Sequence, residues 1–341
     1  MRRLIYIFII GLLLCSYTWA DGSRYASKSL LSEGKWVKIR VDKTGIYKLS
    51  YADLKNMGFS DPSKVSVHGY GGWPLDEDFS KEYIDDVPST PVWRGSDYLL
   101  FYGKGPVKWE YDSSSQTFVH TNNPYSLYGY YFVTDATPTN DMTSVVQASG
   151  ATNRITTYDD YLVHEQELVS LAKSGRELYG EDFSGATPRT LSTFSSIPGI
   201  TNEDAKVTMS FVSKVTSGTG VASLSINQSN VLDVSIRSNR EEYVKALEGV
   251  STAVWKGEKS EKNSVVVSYN SASHNNVRLN YVRLHFKRTL QPYGAYTFFR
   301  SIASIGNVSR FVVQGANANT LVFDVTDAQR VRLMETELNG S

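Results

Sequence analysis

The chain has 341 residues, with 35 Lys and Arg against 35 Asp and Glu, 41% hydrophobic residues and one cysteine. A neutral chain with no Lys/Arg block lacks the electrostatic footprint that nucleic-acid binding needs. A single thiol excludes an internal disulfide framework, and a chain of this length can bury a core without such staples.

Met1-Arg2-Arg3 opens the chain with positive charge. An apolar run from Leu4 to Leu14 follows, interrupted by Gly11, and Thr18-Trp19-Ala20 closes it on a small residue. This layout predicts a secretory signal peptide over residues 1–20, cleaved after Ala20. The run is short for a membrane span, and nothing later reaches the roughly 18 apolar residues a span needs. No transmembrane segment is therefore expected after cleavage, and the protein is read as exported: at the cell surface, associated with the outer membrane, or periplasmic. Cys15 falls inside the signal. A lipid anchor on it is the alternative, but Leu14 stands where a small residue is expected. Cleavage removes the thiol, and with it any cysteine nucleophile or thiolate metal site. It also removes Arg2 and Arg3, leaving 33 basic against 35 acidic residues, a formal charge of −2. The remaining stretch of about 320 residues suggests two domains.

Residues 21–33 read as a polar leader. From Lys35 the pattern alternates, with Val37, Ile39 and Val41 on one face, which predicts a strand. Asp42-Lys43-Thr44-Gly45 reads as a turn into a second strand, Ile46 to Leu49, so a hairpin is expected. Ser50 is a good N-cap for a short helix from Tyr51 to Met57, stopped by Gly58. Further strands are predicted at 65–68, 98–102, 107–111, 117–120 and 128–134. Asp112-Ser113-Ser114-Ser115 turns one pair of these into a hairpin. Residues 34–157 thus read as a small β-rich module with one short helix, ending in a loop-rich crossing over 135–157. Residues 158–189 mix charges with Tyr161, Leu162, Leu168 and Leu171, and read as a partly helical connector with its helix at 165–173 before Gly175.

From residue 190 to 330 period two returns at Val207, Met209 and Phe211, at Leu224 and Ile226, and at Leu232, Val234 and Ile236. Strong strands follow at 265–269 and 279–286, with weaker ones at 311–313 and 321–325. Short strands separated by Ser, Gly and Asn turns predict a two-sheet, jelly-roll-like β-sandwich. The fold class is mainly β, and the 22 tyrosines suit half-buried strands. Residues 331–341 read as a truncated tail.

Several stretches together resemble the N-terminal region of the PorU-type sortases of the type IX secretion system in Bacteroidetes. They begin with Gly34-Lys35-Trp36-Val37-Lys38-Ile39-Arg40-Val41 and Thr44-Gly45-Ile46-Tyr47-Lys48-Leu49. Val67-His68-Gly69-Tyr70-Gly71-Gly72 and Asp97-Tyr98-Leu99-Leu100-Phe101-Tyr102-Gly103-Lys104-Gly105-Pro106 come next. His120-Thr121-Asn122-Asn123-Pro124-Tyr125-Ser126, Ser174-Gly175-Arg176-Glu177-Leu178-Tyr179-Gly180-Glu181 and Asp324-Val325-Thr326-Asp327 complete the set. The resemblance implies an exported surface protein whose full-length relatives carry a gingipain-type cysteine peptidase domain after the matched region. Those relatives remove C-terminal sorting signals from secreted cargo. The Cys–His pair of that peptidase has no matching position here, so no catalytic residue is carried over. The expectation is a truncated product, a split gene, or the first half of a two-chain pair.

Independent chemistry is sparse. His68, His120, His164, His274 and His285 lie far apart on different predicted elements, without zinc-site spacing. No Gly-x-Ser-x-Gly elbow occurs. Asp76, Asp78, Asp85 and Asp86, with Glu77 among them, form the densest acidic stretch and are a weak calcium candidate against a solvated loop, since the strict calcium-loop spacing is missing. Gly69-Tyr70-Gly71-Gly72 and Gly103-Lys104-Gly105 read as tight turns rather than phosphate cradles, so no cofactor is expected. Trp73, Trp93, Trp109, Tyr111, Tyr128, Tyr130 and Tyr131 are candidate binding residues, as a sugar-stacking platform or a protein interface, against core packing. The leading reading is a non-catalytic module that binds or positions a gingipain-type peptidase half or other type IX secretion components. The alternative is a stand-alone envelope carbohydrate-binding module. A self-contained hydrolase ranks third.

Overall fold

The structure is a computed structural model that describes residues 25–78, 80–81, 84–171, 173, 175–241, 244 and 246–339. The expected signal peptide, Cys15 and the first residues of the leader lie outside the described residues. The chain forms two compact units. The first falls within residues 1–107, 126–144 and 323–333, the second within 108–125, 145–322 and 334–341.

In the first unit, strand Val37–Val41 pairs antiparallel with Gly129–Thr134, which pairs in turn with Ser66–Gly71. A second sheet joins Gly45–Ser50, Tyr98–Gly103 and Val92–Arg94. Val41, Val67, Tyr131 and Val133 from the first sheet and Val92, Leu99 and Phe101 from the second form one buried cluster. The hairpin expected between Val37–Val41 and Gly45–Ser50 does not form. Each strand takes a distant partner, and Asp42 to Thr44 are a corner that carries the chain from one sheet to the other. Local alternation reads the same in both arrangements. What decides is that two sheets can close over a shared apolar core, whereas one hairpin cannot cover its own face. The corner is held by Tyr47, whose hydroxyl accepts from the Lys43 N–H at 3.2 Å. It also depends on Gly105, where a Cβ would come within 2.4 Å of the Lys43 carbonyl carbon. The helix Tyr51–Asn56 follows as expected. The Ser50 side chain accepts from the Asp53 N–H at 3.0 Å, Leu54 is buried, and Gly58 leaves the helix at φ +88°.

The second unit is a β-sandwich. One sheet has the order Thr157–Glu165, Val277–Thr289, Ala205–Ser213, Leu247–Trp255. The other has the order Arg189–Thr190, Val265–Tyr269, Thr219–Ile226, Ser229–Arg237, and all the pairings are antiparallel. Their inner faces enclose the larger core, with Val207, Met209, Leu224, Val234, Val267 and Leu284 among its members. The hairpin of Val107–Asp112 and Thr117–Asn122 belongs almost wholly to this unit. Asp112 organises its turn by accepting from the Ser114 N–H at 3.0 Å and the Ser115 N–H at 3.2 Å.

Two elements differ from expectation. The segment expected to be partly helical opens with the nine-residue strand Thr157–Glu165, and the described residues of 166–189 contain no helix. Both faces of that strand are covered, so its charged residues do not mark a solvent side and the period-two signal is lost. The strand Leu247–Trp255 was not foreseen, because its three central inward positions are the small Gly249, Ser251 and Ala253 while Val250 and Val254 face outward at 50% and 43% exposure.

Candidate functional site: a covered polar face of the sandwich

Alternate residues of a strand share a face. The register Asp159↔Lys287, Tyr161↔His285, Val163↔Arg283 and Glu165↔Tyr281 therefore sets a row of polar and aromatic side chains on the face away from the core. Lys206 and Thr208 continue it, opposite His285 and Arg283. The 107–122 hairpin lies on this face. Trp109 stacks on Tyr161 with ring centroids 3.7 Å apart and planes 15° apart. Phe118 sits 5.5 Å from Tyr161 and 5.6 Å from His285, and His120 meets Tyr281 edge-on at 5.0 Å.

The polar groups beneath the hairpin are paired with one another. Arg283 donates to His120 Nδ1 at 3.3 Å, so that nitrogen is the acceptor and the ring carries its proton on Nε2. Nε2–H then donates to Glu165 Oε2 at 3.0 Å. Asn122 bridges Glu165 at 2.7 Å and Glu167 at 3.2 Å. Burial and then the neighbouring Glu165 charge push the Glu167 carboxyl up. Lys206 donates to the Ser115 carbonyl at the hairpin turn, at 2.7 Å.

Asp159 anchors the other end. Its carboxylate lies 2.9 Å from Lys287 Nζ and 3.3 Å from His285 Nε2, and accepts from the Ile302 N–H at 2.7 Å. Burial pushes this carboxyl up, but His285, Lys287 and the Ile302 N–H outweigh it and hold it below the usual range. His285 Nε2 is buried and has no partner in hydrogen-bond geometry among the described residues. Beside it opens a cavity of about 360 Å3 whose lining includes Gln116, Asp204, Lys206 and Lys287. On the opposite face of strand Thr157–Glu165, His164 is held between Glu181 at 2.6 Å and Thr193 at 2.9 Å. Burial pushes the Glu181 carboxyl up, and the His164 hydrogen bond brings it below its usual range.

Chemically this is a clamp: acids meet cations, His120 uses both nitrogens, and Trp109 lies flat on Tyr161. Among the described residues no three His, Cys, Asp or Glu come together to hold a metal ion. No helix among them is long and apolar enough to cross a membrane.

The residues singled out from sequence are distributed otherwise. Trp73, Trp93, Tyr128, Tyr130 and Tyr131 belong to the first unit, and Trp109 and Tyr111 to the second. Tyr131 is buried in the first core, where its hydroxyl accepts from the Lys104 N–H at 2.8 Å. Tyr128 lies under Arg40 at 4.3 Å and Tyr130 under Lys38 at 3.9 Å. Trp73 donates to Thr44 at 3.3 Å, Trp93 packs on Tyr98 at 5.7 Å, and Tyr111 on Phe118 at 5.6 Å. Each of these rings already meets a cation, a ring or a hydrogen-bond partner. In the acidic stretch Asp76 pairs with Lys81 at 2.6 Å and Asp78 accepts from Ser80 at 2.6 Å. Asp86 accepts from the Ser29 hydroxyl at 2.7 Å, and Asp85 from the Ala26 N–H. The covered face itself was missed. Its signal was present as Tyr281, Arg283, His285 and Lys287 at period two, outward between the apolar Val282, Leu284 and Phe286.

No family model matches the chain, and no curated protein does. Among solved structures it is similar to dimeric latent PorU from Porphyromonas gingivalis, at 30% identity and a TM-score of 0.85. That match covers 93% of this chain, and this chain spans 30% of the PorU chain. A xylanase from Clostridium thermocellum with its CBM22-1 and GH10 modules also matches, at 12% identity and a TM-score of 0.23 over 43% of this chain and 28% of that one. So low a score carries no argument.

Proposed function

We propose that this chain is the non-catalytic front region of a PorU-type sortase of the type IX secretion system, and that it acts in the cell envelope by binding and positioning a gingipain-type peptidase half. The observation that carries the reading is the similarity to PorU over 93% of this chain, spanning both compact units at a TM-score of 0.85. The clamp supports it. The hairpin's stack and ion pairs make a stiff surface from side chains most of which pair with one another, which suits a docking platform more than a reaction centre.

The test is calorimetric titration of the chain with a separately produced gingipain-type domain of the same system, beside a peptide-cleavage assay of each alone and of the mixture. Saturable binding with cleavage confined to the peptidase half is expected. No heat signal at high micromolar concentration, or cleavage by this chain alone, would refute the reading.

A further inference from the structure

Away from the hairpin, the second unit brings together a hydroxyl, an imidazole and a carboxylate that the docking role does not use. Each sits on a fixed element. His164 lies in strand Thr157–Glu165, opposite Val282. Glu181 is tied to strand Val277–Thr289, where its carbonyl accepts from the Leu279 N–H at 3.0 Å. Thr193 belongs to the short turn Ser192–Phe194, pinned by Leu191 and Phe194, both buried in the core of the sandwich. The imidazole and the carboxylate are covered, with side chains 10% and 13% exposed, while Thr193 is open to solvent.

The proton positions follow from the charges. Burial pushes the Glu181 carboxyl up, but the His164 hydrogen bond brings it below its usual range, so it is ionised near neutral pH and accepts. His164 Nε2 therefore carries the proton and donates to Glu181 Oε1 at 2.6 Å. Nδ1 is the bare nitrogen, and accepts from the Thr193 hydroxyl at 2.9 Å. Glu181 Oε2 is buried with no hydrogen-bond partner among the described residues. A carboxylate so short of donors turns its charge on the imidazole, where it stabilises positive charge as it develops. This is the connectivity of a nucleophile, a base and an orienting acid, with the two ring nitrogens exchanged relative to the serine hydrolase triad.

We propose that Thr193 is a covalent modification site, a hydroxyl activated by His164 that takes an acyl group from an activated ester. In that step Thr193 Oγ1 forms a bond to the acyl carbon, and the bond from that carbon to the ester's leaving oxygen or sulfur breaks. The Thr193 proton passes through His164 Nδ1 to the leaving group. His164 is the base, and Glu181 is a positioning residue that holds the ring with Nδ1 toward the hydroxyl. The inference rests on these three side chains and does not depend on the proposed role in secretion. Peptide bonds, which are not activated esters, lie outside it.

Reaction of the whole chain with p-nitrophenyl acetate tests it. Samples are quenched in acid within the first turnover, and the acetyl group is located by peptide mass spectrometry. Wild type is expected to carry an acetyl group on Thr193, while the exposed neighbours Ser192 and Ser195 stay bare and serve as controls in the same peptide. Thr193→Val keeps the shape of the side chain and is expected to lose the adduct while keeping the wild-type circular dichroism spectrum. Thr193→Ser is expected to restore it. Glu181→Gln keeps its side chain's shape but not its charge, and should slow acetylation of Thr193 by about a hundredfold. A role in packing alone would move stability and leave this rate where it was. Thr193 acetylated no faster than Ser192 and Ser195, or at the wild-type rate in folded Glu181→Gln, would overturn the proposal.

Discussion

Replacing Asp159 removes the acceptor at one end of the covered face. Its side chain is 3% exposed and holds Lys287 and the Ile302 N–H. Breaking a buried ion pair from one side costs about 3–5 kcal/mol, because the remaining charge is left without a partner. Lys287 is 23% exposed and can turn toward water, which places Asp159→Ala at the lower end, about 3 kcal/mol. Asp159→Asn keeps an oxygen for the Ile302 N–H and should cost about 2 kcal/mol. For a unit of this size the alanine variant should melt about 6–12 °C lower. The assay is urea unfolding followed by circular dichroism from pH 7 down to pH 3. The folded carboxyl titrates below its usual value, so its contribution is complete above the unfolded value of about 3.9 and is lost as pH falls through the lower folded one. The gap between wild type and Asp159→Asn should be constant near neutral pH and narrow below about pH 4. A gap under about 0.5 kcal/mol at pH 7, or one unchanged at pH 3, would show that the ion pair does not hold this end of the sandwich.

Trp109→Ala removes the ring stacked on Tyr161 and should cost about 2–3 kcal/mol, with amide exchange rising first in the 107–122 hairpin. Protection that stays at wild-type level there would mean the hairpin is held without the stack. Asp112, which accepts from Ser115 and then Ser114, is lowered to about 2, and an NMR titration should place its carboxyl near that value. Ser115→Ala should move the midpoint upward, and an unmoved midpoint would remove the turn hydrogen bonds as its cause.

Local chemistry made some elements legible and hid others. The helix after Ser50 could be read because its signals are contiguous: a cap that reaches Asp53 and a glycine that takes positive φ at residue 58. The 112–115 turn could be read for the same reason. Leu247–Trp255 could not, since the middle of its core-facing side is Gly249, Ser251 and Ala253 and its valines face out. The strand Thr157–Glu165 was mistaken for a partly helical stretch because Asp159, Asp160 and Glu165 are charges with buried partners. Those partners, Lys287, Arg288 and His120, lie 45 to 128 residues away in sequence. The candidate aromatics were selected by type, and type alone does not distinguish Trp109, which seals the hairpin onto the sheet, from Tyr131, which fills the first core.

The sequence by itself determined that the chain is mainly β, where most strands run, and where one short helix starts and stops. These follow from period-two burial, capping and turn chemistry, all of which act over a few residues. Only the tertiary structure decided that Val37–Val41 and Gly45–Ser50 part company into two sheets, and that the hairpin after Val107 joins the second unit. It also decided that a row of charged and aromatic side chains lies beneath that hairpin. Those outcomes depend on which distant surfaces bury each other, a free energy shared among segments far apart in sequence and written in none of them singly.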